Sequence, residues 1–353
     1  MSRYLRRFAV TILFLLASYS VLIASQSENT NSDNGESIID VMGKVVDHDY
    51  VELPFTKIYL PRILLVDGDW YFYSNTQSAI DSGEFVMEDS ELVRADGAGI
   101  SLDMSVTSHL IYVWLGILFS LLVTLWAASR YRRGVGSETE PRGAWHNIFE
   151  VIFVFVRDDI AKEFIPVEKY VRYVPYLFSI FMAIMFMNLF GLLPWAASAT
   201  ADLTVTATLA AITFVITQFS GTKDHWRHVF VFPGVPAWSR IILTPVEILG
   251  LFTKPLALAI RLFANMLSGK IMIISILGLI FIFTDIFGAA VGVGSSVFWV
   301  LLTAALYFLK ALVALIQAYV FALLSAVFIG MAAEEHHHHE KETSVARAQD
   351  VNI

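Results

Sequence analysis

Residues Ile241–Phe283 read IILTPVEILGLFTKPLALAIRLFANMLSGKIMIISILGLIFIF. Its apolar character runs all round, so no amphipathic period is needed to bury it. An upright crossing of a bilayer takes roughly 20 apolar residues, and this run is about twice that length. A water-soluble core offers no place for such a helix, and a membrane does. The next long run, Val297–Ala333, has the same character. Between them Thr284–Ser296 holds Gly288, Gly292 and Gly294 and reads as a Gly-rich turn. The two runs form a helical hairpin whose arms must tilt strongly or lie partly along the membrane.

Working outward, three shorter runs are span-length: His109–Ala128, Tyr173–Leu193 and Leu203–Ser220. The fold class is therefore an all-α polytopic membrane protein. It has five transmembrane helices that end in a long tilted hairpin. Composition agrees: of 353 residues 56% are apolar and 16% charged, with a mean hydropathy of +0.64. A soluble domain carries about a quarter charged residues. Cysteine is absent, which excludes disulfides, thiol chemistry and Cys-ligated metal.

Charge sets the orientation. Arg130, Arg132 and Arg133 follow the first span, and Arg142, Arg157, Lys162, Lys169 and Arg172 precede the second. Lys223, Arg227 and Arg240 occupy the loop 221–240, where Pro233 and Pro236 argue against helix. Neither 194–202 nor 284–296 holds a Lys or Arg. Basic loops stay on the cytoplasmic side, so every inner loop is basic and the first span runs inward. Trp145–Ile165 spaces Ile148, Ile152, Phe155, Val156 and Ile160 near a helical period, interrupted by charges. It reads as an amphipathic helix at the inner interface.

The N-terminal third differs. Arg3, Arg6 and Arg7 precede the apolar run Phe8–Ile23 and the small residues Ala24 and Ser25, a signal-peptide pattern over 1–25. An uncleaved anchor is the alternative, and either way residues 26–105 are exported. That segment holds 16 acidic and 4 basic side chains, a net of −12 within a chain of −8. A solvated surface explains the acidity, which also makes nucleic acid an unsuitable partner. Alternating apolar residues in 51–74, with Asp67-Gly68-Asp69 between two runs, predict a small β-rich unit with a hairpin. Ser82-Gly83 and Asp96-Gly97 mark further turns. Residues 106–335 are the membrane domain, and 336–353 a cytoplasmic tail.

The ionisable and amide residues of the last hairpin are Glu247, Lys254, Arg261, Asn265, Lys270, Lys310 and Gln317. Charges at membrane depth are costly and point to function. With the turn centred near residue 290, a rise of ~1.5 Å per residue brings Arg261 level with Gln317, Lys270 with Lys310, and Glu247 with Glu334. Ala257, Ala264, Asn265 and Ser268 share the side of Arg261. Small residues let another helix approach. Packing within the chain explains such a stripe equally well, but a permanent cation among them calls for a carboxylate. No acid of this chain is available at that depth, so another subunit must supply it.

Leu258-Ala259-Ile260-Arg261-Leu262-Phe263-Ala264-Asn265-Met266 closely resembles the signature of subunit a of F-type rotary ATP synthases. Pro245-Val246-Glu247, Lys254-Pro255, Ala314-Leu315-Ile316-Gln317-Ala318-Tyr319, Asn188–Pro194 and Ala201–Thr206 are similar to further family segments. The resemblance implies a stator that grips a ring of c subunits in the cell inner membrane, alongside the peripheral-stalk subunit b. It implies no cofactor and no nucleotide site of its own. Arg261 matches the arginine that faces the ring's carboxylate, and Ala257, Ala264 and Ser268 would pack on the ring. Asn265 and Gln317 would line an outer half-channel, with Asn188 and Asp202 near its mouth and Glu247 toward the inner exit. Lys270 and Lys310 depart from the family's Glu/His pair, and two level ammonium groups would repel.

Other features read plainly. His336–His339 is a solvated tail, and His225 and His228 are surface residues. Met182, Met185 and Met187 are packing, and no Walker sequence is present. A self-contained channel or transporter would favour inverted repeats, which are not visible. A mere scaffold leaves Arg261 unexplained.

Overall fold

The computed structural model describes residues 49–53, 56–88, 91–95, 100–133, 143–193, 196–231 and 237–334. The leader pattern, Pro54, Asp96-Gly97, Pro233, Pro236 and the His336–His339 tail lie outside the described residues.

The β-rich unit comes first. Strands β1 (Tyr50–Leu53) and β2 (Thr56–Tyr59) form one antiparallel pair. Strands β3 (Arg62–Val66) and β4 (Asp69–Tyr73) form a hairpin, and β7 (Leu102–Asp103) pairs with the other edge of β3. Asp67 and Gly68 make its two-residue loop with φ of 52° and 95°. Both central residues of such a turn need positive φ, which Asp tolerates and Gly permits freely. A third pair, β5 (Phe85–Glu88) and β6 (Glu91–Arg94), follows helix α1 (Thr76–Asp81). That helix interrupts the expected run of strands; Asn75 caps it by accepting from the Ser78 amide at 2.7 Å. Leu64, Val66, Ala79, Phe85 and Leu92 make a small core, with the Tyr71 and Tyr73 rings set edge-on to Phe85.

Among the described residues five helices are long and apolar enough to cross a membrane. They lie in α2 (Ser108–Arg132), α5 (Tyr170–Gly191), α6 (Leu203–Ser220), α8 (Ala237–Phe287) and α9 (Ala289–Ala333). Helix α5 is the centre, buried along most of its length. Gly116 of α2 lets that helix ride close on Met187 of α5: an added Cβ would stand 2.5 Å from its Cγ and 3.1 Å from its backbone nitrogen. Tyr176 on α5 shares a 2.7 Å hydrogen bond with Thr213 on α6.

The interfacial segment is helical as its spacing predicts: α3 (Ala144–Phe155), a π-helical turn Val156–Ala161, and α4 (Lys162–Phe164). It has two apolar faces. Phe149 and Phe153 stack edge-on against Phe178 of α5, while Trp145, Ile148 and Val151 are exposed. Arg157 forks onto Asp158 at 2.9 and 2.7 Å.

Two expectations need correcting. The loop 221–240 contains a helix, α7 (Lys223–Val231), and α8 already starts at Ala237. The Gly-rich turn contracts to Gly288 alone, at φ 87°, while Gly292 and Gly294 are helical. Gly292 packs directly on the Thr284 side chain, so its lack of a Cβ permits the arms to close tightly. Helix α8 has 51 residues and α9 has 45. At ~1.5 Å per residue each far exceeds the ~30 Å hydrocarbon thickness. Finally, Val51 and Leu60 of the first hairpin join the same buried cluster as Leu110, Tyr112, Ala196 and Ala199. The β-rich unit is thus keyed into the helical one.

Candidate functional site

Helix α8 orients itself by burying Leu258, Ala259, Leu262 and Met266 against the rest of the bundle. The opposite sector carries Ala257, Arg261, Ala264 and Ser268, all exposed on the isolated chain. Successive positions differ by four, three and four residues, so they form one stripe along the axis. Among the described residues Arg261 makes no ion pair. A guanidinium keeps its charge, so this stripe presents a fixed cation flanked by small side chains.

Asn265 sits at the boundary between stripe and core. Its Nδ2 donates to Oε1 of Gln317 on α9 at 2.8 Å. Gln317 is buried, and its Nε2 has no partner among the described residues. One donor of the pair therefore remains for water or for a passing group. Lys310 donates to the backbone oxygen of Asn265 at 3.3 Å. Its chain lies flat over Gly269, where an added Cβ would stand 2.8 Å from Cε and Nζ. The Asn265–Gln317 and Gly269–Lys310 contacts agree with an arm register centred near residue 290.

Lys270 and Lys310 do come level, yet they turn apart. Lys270 leaves the hairpin and donates to the Ala196 carbonyl at 2.7 Å. Ammonium repulsion is relieved by giving each cation its own carbonyl dipole. That partner has no signal in the sequence, because a backbone oxygen belongs to any residue. Asp285, exposed near the turn, pairs with neither lysine among the described residues.

The loop that receives Lys270 also receives Asn188. Thr200 donates to Asn188 Oδ1 at 2.7 Å, and Asn188 Nδ2 donates to the Ala314 carbonyl at 3.1 Å. Asn188 is fully buried. It joins α5, the 3₁₀ turn Ala199–Ala201 and α9, one helical turn from Gln317. Asp202 is half-buried and caps α6, accepting from the Thr204 amide at 2.7 Å. Asn265, Gln317 and Lys310 are joined by short polar links, Lys270 and Asn188 both reach the segment 196–200, and Arg261 stands one helical turn from Asn265 with no polar link to them among the described residues. Glu247 stands apart, half-buried near the other end of α8, with Lys254 exposed beyond it.

Similarity to known proteins covers this region. The family described as ATP synthase A chain matches residues 110–330. A Myxococcus xanthus protein named ATP synthase subunit a is 45% identical over 235 residues, which is 65% of this chain and 73% of that one. A Chloroherpeton thalassium protein of the same name is 41% identical over 257 residues, 72% of this chain and 74% of its own.

Proposed function

Because the chain belongs to the ATP synthase A chain family and is a multi-pass component of the membrane sector, we propose that it acts as the stator of proton-driven rotation. In this reading two offset half-channels lead to and from the carboxylate of a ring of c subunits. The observation that carries it is Arg261, a cation that makes no ion pair among the described residues, on an exposed stripe of small residues. A fixed positive charge at a few Å favours the ionised form of a passing carboxylate, and so favours release of its proton. It also bars direct proton passage between the two half-channels. Ala257, Ala264 and Ser268 give the ring a flat track.

Asn265, Gln317, Lys270 and Lys310 line the outer access path, with Asn188 and Asp202 supporting the loop at its mouth. Glu247 serves the inner exit. One charge crossing the full potential supplies about 2.3 kcal/mol per 100 mV. Hydrolytic and synthetic chemistry on nucleotide belongs to other subunits, and subunit b holds the stator against the ring. The chain sits in the cell inner membrane with residues 26–105 exported and the C-terminus in the cytoplasm.

The test is Arg261→Ala in membranes that carry the complete complex. Loss of proton-driven ATP synthesis, with the complex still assembled, is expected. Coupled synthesis at the unaltered rate would overturn the stator reading, as would failure of the chain to copurify with a c-ring.

A further inference from the structure

One stripe along helix α2 changes character at its end. Phe119, Leu122 and Trp126 are large and exposed, and Arg130 and Arg133 follow on the same side, at steps of three, four, four and three residues. The Arg130 guanidinium lies over the Trp126 ring at 5.3 Å, which joins the apolar part to the cationic part. Arg132 and Arg133 are exposed and make no ion pair among the described residues. Helix α3 meets α2 at this end. The His146 ring stands edge-on to both Tyr131 and Trp126, at 5.0 and 6.2 Å. His146 is 1% exposed, yet neither ring nitrogen has a hydrogen-bond partner among the described residues. A buried polar group left unmet is costly, so the ring calls for a partner from outside the chain. Its neighbour Trp145 is 78% exposed and lies with Ile148 on the open side of α3. Glu150, one turn beyond His146, is engaged by the Tyr131 hydroxyl.

Size and charge select the occupant. A face that receives another helix in lipid presents small side chains. This stripe presents Phe, Leu and Trp, which an acyl chain satisfies. The guanidinium groups at its end match the oxygens of a phosphate. We propose that the α2–α3 corner binds one anionic phospholipid from the leaflet in which α2 ends. Its phosphate lies against Arg132 and Arg133, an acyl chain runs along Trp126 and Leu122, and a headgroup oxygen accepts from the His146 ring. A zwitterionic headgroup brings its own ammonium beside the phosphate and competes with the arginines, so the corner selects net negative charge. In the orientation proposed above this is the inner leaflet. The inference rests on the chain's place in the membrane sector and not on the stator reading.

The experiment places the complete complex in phosphatidylcholine vesicles with a trace of photoactivatable phosphatidylglycerol or of photoactivatable phosphatidylcholine. Cross-links are mapped by peptide mass spectrometry. Phosphatidylglycerol should label 119–126 and 145–148 about tenfold more than phosphatidylcholine does. Arg132→Gln with Arg133→Gln should bring the two lipids level, whereas Arg132→Lys with Arg133→Lys keeps the charge and should keep most of the preference. High salt should weaken the preference of the unaltered protein, because exposed charges are screened. Equal labelling of the unaltered protein by the two lipids overturns the proposal, since the stripe then meets bulk lipid only. So does a stripe that neither lipid labels, which a helix of another subunit would then cover. A preference that survives Arg132→Gln with Arg133→Gln also overturns it; where that variant fails to assemble, a preference unmoved by high salt does so. Arg261→Ala in the same vesicles should stop ATP synthesis and leave the lipid preference unchanged, so the two readings fail separately.

Discussion

At the scale of single residues, the polar groups of the hairpin are held by partners that differ in legibility. A fixed rise per residue about a turn near 290 puts Arg261 level with Gln317, but the side chain that meets Gln317 is Asn265, one helical turn nearer the hairpin turn, at 2.8 Å. Interhelical hydrogen bonds in membranes average about 0.6 kcal/mol and reach about 1.7 kcal/mol. A double-mutant cycle of Asn265→Ala and Gln317→Ala should give a coupling energy in that range, measured by denaturant unfolding of the purified chain in detergent. A coupling of zero would mean that the bond does not persist. Asn188 should matter more, because it accepts from Thr200 and donates to Ala314 while fully buried. Asn188→Leu strands both partners, at about 1–3 kcal/mol for each buried unsatisfied group. A clear loss of thermal stability of the complex is the expected result, and an unchanged melting temperature would refute it. Lys270 teaches the opposite lesson about legibility. Its depth was readable, but its direction was not, since the Ala196 carbonyl that receives it carries no residue-specific mark.

At the scale of elements, boundaries were readable where charge or turn chemistry punctuates apolar runs. Leu203–Ser220 begins at its Asp202 cap and ends at Gly221 in both sequence and structure. Asp67-Gly68 demands positive φ and obtains it. Gly292 and Gly294 misled because glycine has two uses in a membrane. It breaks helices in water, but in lipid it lets two helices close, as Gly292 does on Thr284. Gly116 has the second use as well. A Cβ there meets Met187 Cγ at 2.5 Å and its backbone at 3.1 and 3.2 Å, so a flexible side chain cannot absorb all of the clash. Gly116→Val should force α2 away from α5, with an overpacking cost of about 1–3 kcal/mol. The yield of folded chain from membranes reports it, and a normal yield would show that the crossing is loose. The end of α9 is a further joint. Thr222 and Lys169 bind the last carbonyls, those of Ala332, Ala333 and Glu334, at 3.0–3.1 Å. Helix ends otherwise leave such groups unmet.

At the scale of the whole molecule, the proposed stator role makes the chain half of an interface. Its α8 buries one side through Leu258 and Leu262 and leaves the other bare, and the bare side is of two kinds. Leu249, Phe252, Leu256 and Ile260 are large and exposed, which lipid tails satisfy. Ala257, Ala264 and Ser268 are small and exposed around a charge. Lipid gains little contact from such a groove, whereas a second helix can approach within it and bring a carboxylate to Arg261. The distinction predicts a volume dependence at Ala264. Ala264→Ser keeps the track flat and should retain most proton-driven ATP synthesis. Ala264→Leu and Ala264→Trp should remove it progressively by holding the ring away from Arg261. Because position 264 faces out of the bundle, the amount of chain inserted and assembled should stay constant through the series. Synthesis and assembly measured together therefore separate a blocked track from a misfolded stator. A tryptophan at 264 that leaves the rate untouched would show that the stripe faces lipid, and the partner helix would then have to be sought on another face.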